Sequence, residues 1–465
     1  MAESPGDGAG GKGSARSSVL DHRFGSGPPL TVGIEEEYML LDPAGYDLVS
    51  GVEEILADVG DGEMADRLKP ELMQCVLESG TIVCDDIPAA AADLRLIRQY
   101  VGQQARSHRM RLGAAGTHPF SLFENQKITA RDRYRALVEM LQYVARRELV
   151  FGMHVHVAVP SPEACLAVME GVLIELPVLL ALSANSPFWR GDHTGLASTR
   201  AMVFSAFPRS GLPPRFKDYD DYAQAVGFME ATGAIGDYTH LWWDVRPHPR
   251  FGTLELRVMD CQTRVEDSIA LAAYVQCLVK LLLDRYLDGQ DVLSYHRMLL
   301  SENKWLALRY GMDAPLMDLA AGKRVKMSAR TLAKRRLREL RPIARTLGCA
   351  DALARIDWIL EHGNGAHRQL QVWNANRDIA EVAEEIAVAA ERHAGIDALI
   401  VEIEFAQAPQ YFLHIDRIGP APDPEFLRMI ARHDFAPIGR SPQGISNYQR
   451  KCICRQFIFS HVNPA

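Results

Sequence analysis

Glu35, Glu36 and Glu37 follow one another in the stretch VGIEEEYMLLDP, among residues that favour an extended strand. On a strand, Glu35 and Glu37 share one face and Glu36 points to the other. Two neighbouring carboxylates on a half-buried face repel each other and lose hydration, a cost that a cation between them relieves. A hard divalent ion is the simplest such cation, although a solvated face that tolerates acids also explains the triplet taken alone. The pattern recurs. Glu71 and Glu78 are seven positions apart and share a helix face if 71–78 is helical. In GMHVHV, His154 and His156 share a strand face, and in TLELRV so do Glu255 and Arg257. Singly, these pairs read as packed histidines and as a cross-strand ion pair. Together, on three separate predicted strands, they describe a concave polar face able to take metal ions and an anionic ligand.

Glutamate-rich coordination with one imidazole suits Mg2+ or Mn2+ better than zinc, which draws mainly on His and Cys. Several such ions beside arginines suit a nucleoside triphosphate. Neither GTHPFS nor GNGAHR matches the phosphate-cradling pattern GxxxxGK[ST], and no GxGxxG opens a helix after a strand. Phosphate handling would then rest on metals and arginines. Two other functions fit the same residues: a metal-dependent amide or phosphoester hydrolase built on HVH and an activated water, and a nucleotide-binding protein without turnover.

These side chains need strands at 30–42, 151–159 and 252–262, each of which alternates. Residues 63–84 mix helix and strand signals. Helices are predicted from Pro88 to Arg111, with Asp85 or Asp86 as cap, and from Ala130 to Leu149. Ser161-Pro162-Glu163 starts another, which should kink near Pro177. A long buried helix covers 264–287, and helices continue from Leu293 to Ala394. Residues 185–250 are loop-rich, as segments covering an active site often are. His118 reads as a turn-stabilising residue, and GNGAHR as a phosphate-facing turn or a helix junction. Beyond 395, ALIVEIEF and QYFLHID read as strands and APDPEFLRMIARHDF as a short helix. Strands come early and helices late, without alternating βαβ units. The expected class is therefore α+β, a largely antiparallel sheet packed by helices.

Of 465 residues, 48% are hydrophobic and 24% charged, with a net charge of −8. This excludes the basic footprint of a nucleic-acid binder. The eight cysteines form no CxxC pair, which disfavours a disulfide scaffold or zinc ribbon. The first 29 residues, rich in Gly, Ser, Ala and Pro, read as a disordered tail without a secretory apolar run. The apolar stretches 171–184 and 269–283 carry Glu175, Pro177, Gln276 and Lys280 and read as core helices. No membrane association and a cytoplasmic location are expected.

Several motifs in one order, VGIEEEYMLLDP, PELMQCVLESGTIVC, GMHVHVAVPS, TLELRVMDCQTRVEDSIALAAYVQCL, ENKWLALRYG and GNGAHRQ, resemble the carboxylate–amine ligase family, also called type-2 glutamate–cysteine ligases. The resemblance spans about residues 28–394. It implies a catalytic domain over 30–394 like that of glutamine synthetase, with a curved sheet, and a C-terminal extension of unknown role over 395–465. It implies ATP-dependent joining of a carboxylate, usually the γ-carboxylate of L-glutamate, to an amine, with L-cysteine as the presumed acceptor, and ADP and phosphate as products. Small molecules would be the partners, and a homodimer is the family-based expectation. By motif position, Glu35, Glu37, Glu71, Glu78, His154 and Glu255 resemble the family's metal ligands. Arg257 resembles the arginine that meets the transferring phosphate, with Arg264 as a second candidate. The role of His156 is left open. Arg200, in the loop-rich region, is a candidate for a substrate carboxylate, and Asn303, Arg309 and Tyr310 for nucleotide or substrate. A surface role for Arg200, and a packed helix start for ENKWLALRYG, are the plainer alternatives.

Overall fold

The computed structural model describes residues 20–396, apart from 291, 322 and 323. Seven strands form its main sheet: Val32–Leu41 (β1), Leu68–Pro70 (β2), Val76–Gly80 (β3), Arg111–Gly113 (β4), Gly152–Ala158 (β5), Val245–His248 (β6) and Thr253–Asp260 (β7). Their order is β6-β7-β5-β1-β3-β2, and β4 pairs with the C-terminal end of β1. Every pairing in this sheet is antiparallel, so the α+β expectation holds. The three strands foreseen at 30–42, 151–159 and 252–262 lie side by side at its centre.

Helices cover one face of the sheet. Ile34, Met153, Val155, Val157, Leu254 and Leu256 are buried there in a core shared with Val265–Leu287, whose apolar residues are almost all buried. Ile87–Ser107 packs beside it, started by an Asp86 carboxylate that accepts from the Ala89 amide at 2.8 Å, with Pro88 in the first turn. Ser161 caps Pro162–Val172 in the same way, and the chain bends by 66° before Leu176–Ser183, the break expected near Pro177. No single helix among the described residues is long and apolar enough to cross a membrane.

Three expectations change. The stretch 71–78 is not helical: Glu71 precedes a turn and Glu78 lies on β3, because Val76 and Leu77 are drawn into the sheet beside β1. The helix foreseen over Ala130–Leu149 breaks into Asp132–Leu141 and Tyr143–Arg146 at Gln142, which has φ of 50°. The end of the proposed N-terminal tail packs: Phe24 is buried, and the amides of Arg23 and Gly25 donate to the carbonyls of Pro249 and Val159 at 2.9 and 3.3 Å. Residues 1–19, and the strands and helix foreseen beyond 397, lie outside the described residues. Ile396, the last of them, is buried against Gly102.

Candidate functional site

The face of the sheet away from the helices is polar, and strand register builds it. Along β1, Glu35 and Glu37 are half-buried while Glu36 is fully buried, the alternation expected of a strand. Glu37 stands opposite Glu78 on β3, and Glu35 opposite His154 on β5. His156 pairs with Glu255 on β7, and Glu255 in turn with Arg246 on β6. Gly80 faces Glu35 and Gly33 faces His156 across the same pairings, so no side chain from those positions extends over the acids.

Glu36 is occupied entirely on the helix side. Arg98 from Ile87–Ser107 clamps it with Nε to Oε2 at 2.7 Å and Nη2 to Oε1 at 2.5 Å, and both side chains have zero exposure. Tyr38 and Ser268 hydroxyls donate to the same carboxylate at 2.7 and 2.5 Å. The middle glutamate is therefore a core ion pair with its lone pairs satisfied, and only its neighbours face outward.

Two groups of charge follow on the outer face. In the first, the Glu255 carboxylate is held by Arg246 Nε at 2.6 Å and Arg257 Nη1 at 2.5 Å. Burial opposes its ionisation, but Arg246 and Arg257 outweigh it and hold the carboxyl well below its usual range. His154 Nδ1 lies 3.1 Å from Glu35 and 3.9 Å from Glu255, and His156 Nε2 lies 3.6 Å from Glu35. Burial and Arg257 lower the His154 pKa. For His156 burial is outweighed by Glu35 and Glu255, which raise it. The second group is acidic. Burial, then the neighbouring Glu37, pushes the Glu71 carboxyl up to about 7. Burial, then Glu35 and Glu71, raises Glu78 well above its usual value. Like charges converge there without an adequate counter-ion, since Lys69 is 3.9 Å from Glu78 and largely exposed.

The six residues expected as metal ligands thus come to one face. One atom each from Glu35, His156 and Glu255 lie within 4.8 Å of one another, which adds His156 to the set. The Nε2 atoms of His154 and His156 are buried without a hydrogen-bond partner. Orphaned imidazole nitrogens beside the ionised Glu35 and Glu255 carboxylates are donors that fit a hard divalent cation with some nitrogen ligation.

Arg200, on the helix Thr199–Phe204, is brought to the same region. It is 4% exposed and its Nη2 donates to the Arg257 carbonyl at 3.3 Å. Asp260 sets its approach by accepting from Ser186 and Ser198 hydroxyls at 2.7 and 2.8 Å, which tie that loop to the end of β7. Arg264 is not brought there. It stands at the N-terminal boundary of Val265–Leu287 on the helix side, its guanidinium 5.2 Å over Trp358 with Arg368 nearby, because the turn after β7 carries the chain behind the sheet. Asn303 is used structurally, exchanging hydrogen bonds with the Met317 backbone at 2.9 and 2.8 Å. Arg309 donates to the Gly195 carbonyl and stacks on Tyr310 at the end of Arg297–Tyr310, so ENKWLALRYG lies within a helix rather than starting one. GNGAHR is a helix junction, with Asn364 capping Gly365–Asn376. His118 accepts from the Ser121 amide at 3.0 Å and stabilises its turn.

Sequence reasoning missed Arg246 and Lys304. Arg246 had a signal, since it alternates with His248 in VRPH ahead of TLELRV. Lys304 forms a buried pair with Asp244 at 2.6 Å, and the Asp244 carbonyl accepts from the Arg257 amide at 2.7 Å. Only the fold joins these segments.

A pH dependence follows. Between about pH 4.3, where unfolded glutamate titrates, and their raised folded values, Glu71 and Glu78 hold protons that they have lost in the unfolded chain. The contribution of these two groups to metal-free stability therefore falls as pH rises through this window. Divalent cations must displace those protons, so binding is favoured at higher pH. Melting curves with and without Mg2+ or Mn2+ at pH 6 and pH 8 should show the larger metal-induced rise at pH 8, about 2.7 kcal/mol at a hundredfold excess over Kd. Equal rises at both pH values would show that these carboxylates do not take the ion.

Comparison with known proteins gives a consistent picture. The model of glutamate–cysteine ligase family 2 matches residues 31–387. A protein of Rubrobacter xylanophilus provisionally named glutamate–cysteine ligase 2-1 is 42% identical over 354 residues, covering 76% of this chain and 92% of that one. One of Solibacter usitatus, provisionally named glutamate–cysteine ligase 2, is 42% identical over 77% and 92% of the two chains. Among solved structures, the glutamate–cysteine ligase of Francisella tularensis in complex with AMP superposes with a TM-score of 0.57 at 13% identity, over 79% of this chain and 92% of that one. A bifunctional glutathione synthetase from Pasteurella multocida gives 0.55 at 14% identity, over 79% and 51%. At such identities the structures share the fold alone.

Proposed function

The chain belongs to glutamate–cysteine ligase family 2, and from that premise we propose that it is an ATP-dependent carboxylate–amine ligase. It activates the γ-carboxylate of L-glutamate as an acyl phosphate and joins it to an amine, with L-cysteine as the presumed acceptor, releasing ADP and phosphate. The observation that carries this reading is the convergence of Glu35, Glu37, Glu78, Glu255, His154 and His156 on one sheet face with Arg257 among them.

A free carboxylate does not acylate an amine, because its leaving group would be oxide. Phosphorylation supplies a leaving group, and the amine then expels phosphate. Glu35, Glu37, Glu71, Glu78, His154, His156 and Glu255 would hold Mg2+ or Mn2+, which supplies the positive charge that a moving phosphoryl group needs. Arg257 meets the equatorial oxygens of that group, positioned by its bond to Glu255 and by the bulge in β7. Glu255 keeps its negative charge at neutral pH because Arg246 as well as Arg257 pairs with it. Arg200 binds a substrate carboxylate. No protein nucleophile is required, and all six described cysteines are buried.

The test is ADP release by purified protein given L-glutamate, a pooled amine panel and Mg2+ or Mn2+, with mass spectrometry of the products. Amine-dependent ADP and an amide product are expected. Folded protein that releases no ADP with any amine would sink the reading, and nucleotide-independent cleavage of an amide would make it a hydrolase instead.

A further inference from the structure

Arg95 and Arg392 have no part in the chemistry above and stand at a cleft among the covering helices. The cleft, of about 440 Å³, lies between Ile87–Ser107 and the end of Ile379–His393, with Leu96 and Gln99 on one wall and His393 and Gly395 on the other. Leu96 is 48% exposed there. Glu266, the acid at this cleft, is taken by His393, whose Nδ1 lies 3.0 Å from its Oε2. The Arg95 side chain donates to a carbonyl of its own helix, that of Ala91, at 3.4 Å. Among the described residues no ion pair engages Arg95 or Arg392. The cleft thus presents an apolar patch between two uncompensated cations. Its walls are fixed, since the buried Glu391 is held by Arg106 at 2.8 Å and by Arg111 at 2.7 Å.

The chain itself is led to this cleft. Gly395, with φ of 70°, turns it, and the Ile396 amide donates back to the Glu391 carbonyl at 3.1 Å. Ile396 is buried, its Cδ1 only 1.8 Å from where a Cβ on Gly102 would stand, so a glycine makes room for it. Gly102 is about one helical turn past Gln99, and residue 397 therefore starts at the rim of the cleft. Residues 397–465 lie beyond the family match, which ends at residue 387. Before Arg417 this extension carries Asp397, Glu402, Glu404 and Asp416 and no lysine or arginine. Its stretch ALIVEIEF, 398–405, sets Glu402 and Glu404 among apolar residues. Eight residues reach at most about 28 Å, and the wall from Ala92 to Gln99 is about 10 Å long, so the stretch can cover all of it. The far end of the chain, QRKCICRQ, is basic and would be repelled by the same arginines. We propose that this cleft is the docking site of the chain's own residues 397–405, with Glu402 and Glu404 meeting Arg95 and Arg392 and the apolar side chains covering Leu96. The encounter is intramolecular, at an effective concentration in the millimolar range, so individually weak contacts suffice. The contact is independent of the ligase reading.

Thiol labelling of the full chain tests this. Ala92 is exposed in the cleft, and Ala92→Cys places a reporter there without touching Leu96 or the arginines. A water-soluble maleimide is the probe, and peptide mass spectrometry separates its attachment at position 92 from that at Cys452 and Cys454. In this background Glu402→Lys with Glu404→Lys should speed labelling at position 92 about tenfold, as for a segment whose effective concentration is ten times its Kd. Adding Arg95→Glu and Arg392→Glu, which reverses both sides, should slow it again. Both arginines are exposed, so these reversals leave the core intact. A labelling rate that the two lysine substitutions leave unchanged overturns the proposal. Faster labelling that the arginine reversals do not slow overturns it as well, because the acids would then act elsewhere. Protection that grows with protein concentration would give the cleft to a second copy of the chain instead.

Discussion

Replacing Arg257 with lysine is expected to lower the rate of amine-dependent ADP release about 100- to 1000-fold, the usual consequence of losing a positioned group that meets developing charge. The loss should fall on kcat more than on KM, because the interaction grows as the phosphoryl group moves. Lysine is the informative replacement here. Glu255 is 1% exposed; Arg246 donates to both its oxygens, at 2.6 and 3.3 Å, and Arg257 to the second at 2.5 Å. A neutral residue would leave that oxygen with only the long Arg246 bond and confuse a folding defect with a catalytic one. Lysine keeps a positive charge beside it but lacks the planar fork, so it cannot hold Glu255 and reach a phosphoryl oxygen with separate N–H groups. Steady-state kinetics alongside thermal melting checks this: kcat should collapse while the melting temperature shifts little. A kcat within about threefold of wild type would remove Arg257 from the reaction.

How legible this site was in the sequence depended on where its residues lie. Glu35, Glu37, His154 and Glu255 sit on strands, where a period of two declares which side chains share a face. Their convergence needed only that the strands be neighbours, and the β3-β1-β5-β7 order supplies that. Glu78 was found for the wrong local reason. A spacing of seven suggested a helix face, but β3 carries Glu78 to Glu37 by pairing, and Glu71 arrives from the loop before it. Motif proximity misled for Arg264: it stands seven residues after Arg257, but the intervening turn passes around the end of the sheet to the helix side. Asn303 shows a different limit, since a polar residue in a motif can be spent holding a neighbouring strand, here through the Met317 backbone. Lys304 reaches Asp244 from a helix 60 residues further along the chain, a pairing that no period within either segment reports. The β-class segments were therefore readable to function, and the loops that shape the substrate end were not.

One residue from Glu35, substitution should act on folding rather than on chemistry. Glu36→Ala is expected to destabilise the protein by about 3–5 kcal/mol, the cost of breaking a buried pair by removing one partner. Arg98 would keep its charge at zero exposure with only the carbonyls of Gln262 and Thr263, at 2.8 and 3.1 Å, and the Ser268 hydroxyl as acceptors. Tyr38 and Ser268 would lose the carboxylate that accepts their protons. Because Arg98 ties Ile87–Ser107 to the turn that starts Val265–Leu287, the loss should reach both covering helices. Urea unfolding of the single variant measures the cost, and pairing Glu36→Leu with Arg98→Met separates its origin. If the penalty is a stranded charge, the double replacement should recover most of the stability, since apolar side chains of similar volume often replace a buried pair without loss. Its metal-dependent melting shift should also survive, because Glu35 and Glu37 keep their face. A Glu36→Ala protein less than about 1 kcal/mol below wild type would mean that the clamp is not what joins sheet to helices. A double variant that folds but no longer responds to metal would mean that Glu36 helps set the geometry of the outer face through the strand itself.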